Sequence, residues 1–176
     1  MAAFATPAQV ETRTQGGILA SHPSLEDELD AATRAIRDYC GWHIAGVEEV
    51  VYRKVRPYSD TVWLPAMQIQ SITEARIDGA DIDPAGVKFD PSTGWTSLTG
   101  RDVLVKFAAG FATVPEILAT LTMELAVGAL VSPLGLSREQ AGGVSLSFTR
   151  TSGSLLVGAG GADEARLAPY KLGVLP

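Results

Sequence analysis

Cys40 and His43 are the pair in this chain whose types and spacing most suggest chemistry, because a thiolate and an imidazole three residues apart make half of a zinc site. A structural zinc needs four ligands, and the chain has one cysteine and two histidines, so His22 and carboxylates would have to complete the set. A Cys–His nucleophile pair fails for a related reason. Residues three apart at the end of a helix do not orient as base and nucleophile, and nothing in the sequence marks an oxyanion hole. Cys40 therefore reads as a packing residue and His43 as a hydrogen-bonded one. Acidic groups occur at Glu26, Asp27, Glu28 and Asp30 and again at Asp78, Asp81 and Asp83. Neither run has the alternating ligands, central glycine and closing glutamate of a calcium loop, so they read as a solvated helix face and a polar hairpin turn. The glycines at 142, 143, 153, 158, 160 and 161 form neither a dinucleotide fingerprint nor a phosphate loop and read as tethers. Arg53, Lys54 and Arg56, with Tyr52 and Tyr58 beside them, are the densest positive cluster. They could touch phosphates, but on an acidic chain they read as an exposed strand or an inter-subunit salt bridge. No catalytic, metal-binding or cofactor-binding residue is assigned, and the chain is expected not to be an enzyme.

The elements that hold these residues follow from periodicity. Leu25, Leu29, Ala32, Ile36 and Tyr39 recur at steps of four and three, which places them on one helical face. Ser24 and Asp27 have capping-box spacing, Glu26 and Asp27 lie where the helix dipole favours negative charge, and Gly41 is placed to stop the helix. The apolar stripe runs on into Trp42 and Ile44, so the turn after the helix is expected to be packed. Residues 47–56, 61–64, 69–77 and 103–108 are rich in β-branched and aromatic side chains and are predicted strands. Asp78-Gly79 between two of them predicts a hairpin. A second helix is predicted from Thr113, with Glu116 at capping-box spacing and Pro115 in the first turn, to about Ser132 before Pro133. Val114, Leu118, Leu121, Leu125 and Ala126 share one of its faces. Ile117, Met123, Val127 and Leu130 carry the hydrophobicity further around, so they are expected to meet another subunit, unless the monomer's own core takes them up. The structural core is expected at Leu25, Leu29, Ile36, Tyr39, Trp42, Leu121 and Leu125.

Residues 1–23 lack periodicity and predict an arm that is mobile or orders on a neighbouring subunit, the second being favoured. Residues 24–132 predict a helix-sheet-helix core, with the β-rich insertion at about 47–109. Residues 133–176 are glycine-rich around a short alternating strand at 144–149; Asp163 is then expected to cap one helical turn that Pro169 stops. The tail reads as a docking peptide, or else as a segment folded back on its own sheet. On the first reading, deletion of residues 163–176 leaves a folded domain. The fold class is α+β: two long packed helices, a small antiparallel sheet domain inserted between them, and an extended C-terminal segment.

The chain has 176 residues, enough for one domain, and 46% are apolar, enough for a core. Its formal charge of −6 argues against DNA binding through a basic patch. A single cysteine excludes an internal disulfide, and the N-terminus has no basic segment leading into an apolar one, which predicts synthesis in a reducing cytoplasm. The most apolar stretch, 117–131, is interrupted by Thr120, Thr122, Glu124 and Gly128 and predicts a buried helix, with no membrane partner.

The run Tyr39-Cys40-Gly41-Trp42-His43-Ile44 closes the first helix, a Leu64-Pro65 step follows a short β segment, and a strand runs to Asp78-Gly79. Gly110-Phe111 lies four residues before Pro115, and Leu167-Ala168-Pro169-Tyr170-Lys171-Leu172 closes the chain. Together, over roughly residues 24 to 172, this pattern resembles the head-to-tail adaptor (head-tail connector) proteins of long-tailed bacteriophages. The resemblance implies a homo-oligomeric ring, usually of twelve copies, under the portal protein. Such a ring extends the DNA channel, offers a docking platform to the stopper or head-completion protein, and lets double-stranded DNA pass at ejection without sequence-specific binding. It implies a place in the virion neck, reached from the host cytoplasm. Portal contacts would be Leu167, Pro169, Tyr170, Leu172, Val174 and Leu175; the ring subunit interface would use Ile117, Met123, Val127 and Leu130. The β middle is larger than in the smallest helical members of that family. The alternatives are another neck or tail-completion (stopper) protein, or a small cytoplasmic enzyme or ligand-binding domain.

Overall fold

Thr6 starts the first helix in a segment expected to be an arm. Its hydroxyl accepts from the Gln9 backbone N–H, the Gln9 side chain accepts in return from the Thr6 N–H at 2.8 Å, and Pro7 occupies the first turn, where no amide proton is needed. The computed structural model describes residues 2–131, 138–141, 144–147, 154–157 and 161–173. They group into two units: Met1–Tyr39 with Pro115–Pro169, which is helical, and Cys40–Val114 with Tyr170–Pro176, which is built on a sheet.

The helical unit contains α1 (Pro7–Arg13), α2 (Leu25–Cys40, whose last residue falls in the sheet unit), α3 (Glu116–Val131) and α4 (Glu164–Leu167). Val10 of α1, Leu25 and Leu29 of α2, and Met123 and Ala126 of α3 form one buried cluster, with Ala3, Ile18, Val127 and Leu130 packed around it. The N-terminal segment thus orders on its own chain, where an arm that is mobile or ordered on a neighbouring subunit was expected, and with α2 it packs on the part of α3 that carries Met123, Val127 and Leu130. The physical reason is that a two-turn amphipathic helix with a proline start and a full cap is cheap to order once Val10 has a pocket to fill. Further along the same segment, the Phe4 backbone N–H donates to Thr33 Oγ1 at 3.0 Å, and the Arg37 guanidinium lies 4.7 Å from the centre of the Phe4 ring.

The sheet unit contains β1 (Glu48–Ser59), β2 (Ile69–Ile77), β3 (Ala80–Ile82) and β4 (Gly100–Ala109), antiparallel in the order β1-β4-β2-β3. Along β4, Val103, Val105, Phe107 and Ala109 are buried while Leu104, Lys106 and Ala108 are half-buried, the period of two expected of a strand whose second face is partly covered. Asp78 (φ 51°) and Gly79 (φ 83°) form the predicted two-residue turn between β2 and β3, with both residues left-handed as that turn demands. Asp78 is also a brace. Its Oδ1 accepts from the backbone N–H groups of Arg101 and Asp102 at 3.0 and 2.9 Å, and these bonds hold its carboxyl below the usual carboxylate range. The predicted strand at 61–64 is not regular. Pro65 ends it and Gly94 turns beneath it, so only a Trp63–Trp95 bridge and a few bonds to the 94–98 loop remain.

β5 (Arg138–Ala141) and β6 (Val144–Ser147) pair only with each other among the described strands. Of the strand predicted at 144–149, Phe148 and Thr149 lie outside the described residues, as do Ser132, Pro133, Gly142, Gly143, Gly153, Gly158, Gly160, Val174 and Leu175. The single helical turn after Asp163 is present, but the predicted cap is not. Asp163 is itself helical and buried; its Oδ2 accepts the Leu156 backbone N–H at 2.9 Å instead.

Candidate assembly surfaces

Within the sheet unit, residues 40–44 are tied to residues 109–111 and 170–172. Gly41 (φ 82°) lets α2 end, and the Leu172 backbone N–H donates to the Cys40 carbonyl at 2.9 Å. Trp42, 6% exposed, donates its indole N–H to the Tyr170 carbonyl at 2.6 Å, and the Phe111 ring lies between the Trp42 and Tyr170 rings at centroid distances of 6.2 and 5.8 Å. His43 Nε2 is 2.7 Å from the Ala109 carbonyl, and its ring meets Trp42 edge-on at 5.5 Å. Gly110 (φ 124°) is required here, since a Cβ would sit 2.4 Å from the Gly46 carbonyl oxygen and 2.8 Å from His43 Nε2. Residues 170–172 are therefore folded back on their own unit, the second of the two readings of the tail.

Cys40 is buried, and burial pushes its thiol up to about 11, against a smaller lowering by the Lys171 charge. A thiol held neutral is a poor nucleophile at ordinary pH. Because it ionises near pH 9.0 when unfolded, its contribution to stability is complete below that pH and is lost as pH rises to about 11. We expect Cys40 to resist thiol reagents at pH 8 in the native protein and to react at once in denaturant. Equal labelling rates in the two states would contradict the burial.

Each predicted site residue has a place. Leu25, Leu29, Ile36, Leu121 and Leu125 are fully buried, Trp42 is buried and Tyr39 half-buried. Of the expected portal contacts, Leu167 is fully buried within the helical unit, so its side chain belongs to the fold; Pro169 is exposed, and Tyr170 and Leu172 are half-buried. Of the expected ring contacts, Ile117 is exposed while Met123 is buried and Val127 and Leu130 are half-buried beneath the N-terminal segment. The carboxylates are not gathered: Asp81 pairs with Arg76 at 2.7 Å and Asp83 accepts from the Ala85 backbone N–H. Among the described residues no three His, Cys, Asp or Glu side chains converge on a metal-sized space, and no helix is long and apolar enough to cross a membrane.

One group escaped the sequence reading. Glu124 receives Arg166 at 2.7 Å and Arg13 at 3.3 Å, joining α3 to α4 and α1. Three residues so far apart in sequence give no local signal. Strand β1 exposes Val51 (57%) and Val55 (73%) with Arg53 between them, while Lys54 reaches over Tyr52 on the other face. Among the described residues the helical unit has open grooves. One of about 500 Å³ is lined by Ile18, Leu19, His22, Pro23, Leu130 and Val131 among others, and one of about 370 Å³ by Ala8, Gln9, Thr12, Arg13 and Met123. Neither brings polar groups to a common point as a substrate site does.

The sequence matches no protein family and no curated protein. The fold is similar to that of a chain from the neck of a native GTA particle computed with C12 symmetry, at a TM-score of 0.58 and 16% identity over 96% of this chain and 89% of the other. It is also similar to a chain from the neck of an empty GTA particle computed with C6 symmetry, at a TM-score of 0.61 and 16% identity over 97% and 90%. The likeness spans nearly the whole of both chains.

Proposed function

We propose that this chain is a structural protein of the neck of a phage-like particle, and that within the neck it is the head-to-tail adaptor. The observation that carries the reading is the fold it shares, end to end, with neck chains of GTA particles computed with C12 and C6 symmetry. Those symmetries support a ring of copies of this chain. The adaptor role rests in addition on the sequence pattern at 39–44 and 167–172, from which Trp42 bonds to Tyr170 and Cys40 to Leu172 within the sheet unit.

In this reading the ring sits beneath a portal protein and carries the stopper and tail on its other side. Its net charge of −6 per copy gives the assembled channel a negative potential, so the DNA backbone slides past instead of adhering. Pro169, Tyr170 and Leu172 remain the candidate portal contacts, with Val174 and Leu175 following them in sequence. Ile117 remains the candidate ring contact on α3. The chain performs no catalysis in this role; its work is association.

The test is the native mass of the protein alone and after mixing with the portal protein of the same genome. A subunit that adds about one copy per portal subunit, closing a ring, supports the adaptor reading. Association with the tail-side proteins but not with the portal would make it a stopper, and association with neither would overturn the neck reading.

A further inference from the structure

The 12-residue strand β1 ends the sheet, paired with β4 along one edge and, among the described residues, with nothing along the other. Its register with β4 is unbroken from Glu48 to Val55, so the free edge is straight over eight positions. Val51 and Val55 are exposed on its outer face, and no proline occurs before Pro57. An open, regular, valine-bearing edge is a template for another strand, and folds that do not use such an edge keep it short, bulged or covered. The same chain carries a second sheet that, among the described residues, has free edges. β5 and β6 form a two-stranded sheet of four residues each, which is marginal in water unless a third strand or another surface supports it.

We infer that copies of this chain join by strand addition, β6 of one copy pairing with the free edge of β1 in the next. The contact is heterologous, one patch giving and a different patch receiving, which is the kind that propagates around a ring. Charge favours the same occupant. β1 concentrates Arg53, Lys54 and Arg56, whereas the chain as a whole is acidic, with Glu26, Asp27, Asp30 and Asp38 exposed or partly exposed along α2 and without an ion pair among the described residues. β6 itself, Val144-Ser145-Leu146-Ser147, brings no charge to the basic strand and alternates apolar and polar residues, as β1 does at Val51, Tyr52, Arg53, Lys54 and Val55 only in part. A second copy thus supplies both a strand in need of a neighbour and an acidic body to face the cations. The inference rests on the ring proposed above.

Backbone hydrogen exchange of the free subunit and of the ring assembled on the portal tests it. We expect amides in both β1 (48–55) and β6 (144–147) to slow at least about tenfold on assembly. The Val51→Asp, Val55→Asp double variant, altered only at exposed positions, should keep the melting midpoint and fail to close the ring. Protection of β1 without β6 would mean that a different protein supplies the strand and would overturn the second-copy assignment. A ring that forms with neither strand protected, or that the double variant forms as readily, would overturn strand addition and leave the neck reading intact. Absence of a ring from the unaltered protein would overturn the neck reading, and the strand pairing with it.

Discussion

Replacing Trp42 with alanine lowers the unfolding free energy by about 3–5 kcal/mol, the range for deleting a large aromatic from a packed site. The side chain is 6% exposed, touches the His43 and Phe111 rings, and donates its N–H to the Tyr170 carbonyl at 2.6 Å. Truncation therefore removes apolar burial and also strips the tail of the donor that holds it. The Trp42→Phe variant separates the two effects. It keeps most of the ring contacts, and loss of the hydrogen bond alone costs about 0.5–1.5 kcal/mol. Denaturant unfolding monitored by circular dichroism reads both. An alanine variant with an unchanged midpoint would place Trp42 at the surface.

Leu167→Ala costs about 2–5 kcal/mol, and removal of residues 163–176 costs more than that single substitution. Leu167 is fully buried, its N–H donates to the Asp163 carbonyl at 3.0 Å, Arg166 pairs with Glu124, and the Asp163 carboxylate holds the Leu156 N–H. These interactions belong to the helical unit. In the sheet unit, the same deletion removes the Tyr170 and Leu172 bonds to Trp42 and Cys40. The truncated chain is thus expected to lose its cooperative melting transition, in contrast to the folded domain that the glycine-rich sequence suggested. A truncated chain that melts as the full one does would return the tail to the role of a free docking peptide. Glu124→Ala should have a smaller effect, about 1 kcal/mol, because its two arginine partners remain partly exposed to solvent.

What could be read from the sequence was what local periodicity encodes. The spacing of Leu25, Leu29, Ile36 and Tyr39 located α2 and Gly41 its end, and Asp78-Gly79 located the hairpin, because a two-residue turn needs left-handed residues and those two accept it. β2 was predicted at 69–77, where it lies. The Thr6-Pro7-x-Gln9 start of α1 was equally local and equally visible, but α1 has only seven residues, too few for its apolar period to stand out. The share of α3 that its own chain covers was hidden for a different reason. A helix apolar on most sides must be covered, but the sequence does not state by what, and the covering residues Val10 and Ile18 come from more than a hundred positions away. The same distance hid the Arg13–Glu124–Arg166 group. The bonds that tie residues 170–172 back to Cys40 and Trp42 left no mark in the sequence, because glycine content reports chain freedom before folding, not the hydrogen bonds that restrain it afterwards.

The two units are interleaved along the chain, the helical one beginning before the sheet and resuming after it, the sheet one reserving its last piece for residues 170–176. Synthesis runs from the N-terminus and domains fold as they are completed. α1 and α2 thus emerge with their Met123 and Ala126 partners still unmade, and β1 waits some forty residues for β4. A nascent chain halted before residue 163 has completed neither unit. Both units close only when the segment from Asp163 to Leu172 has been made, so the early helices and strands wait for the same late stretch of chain.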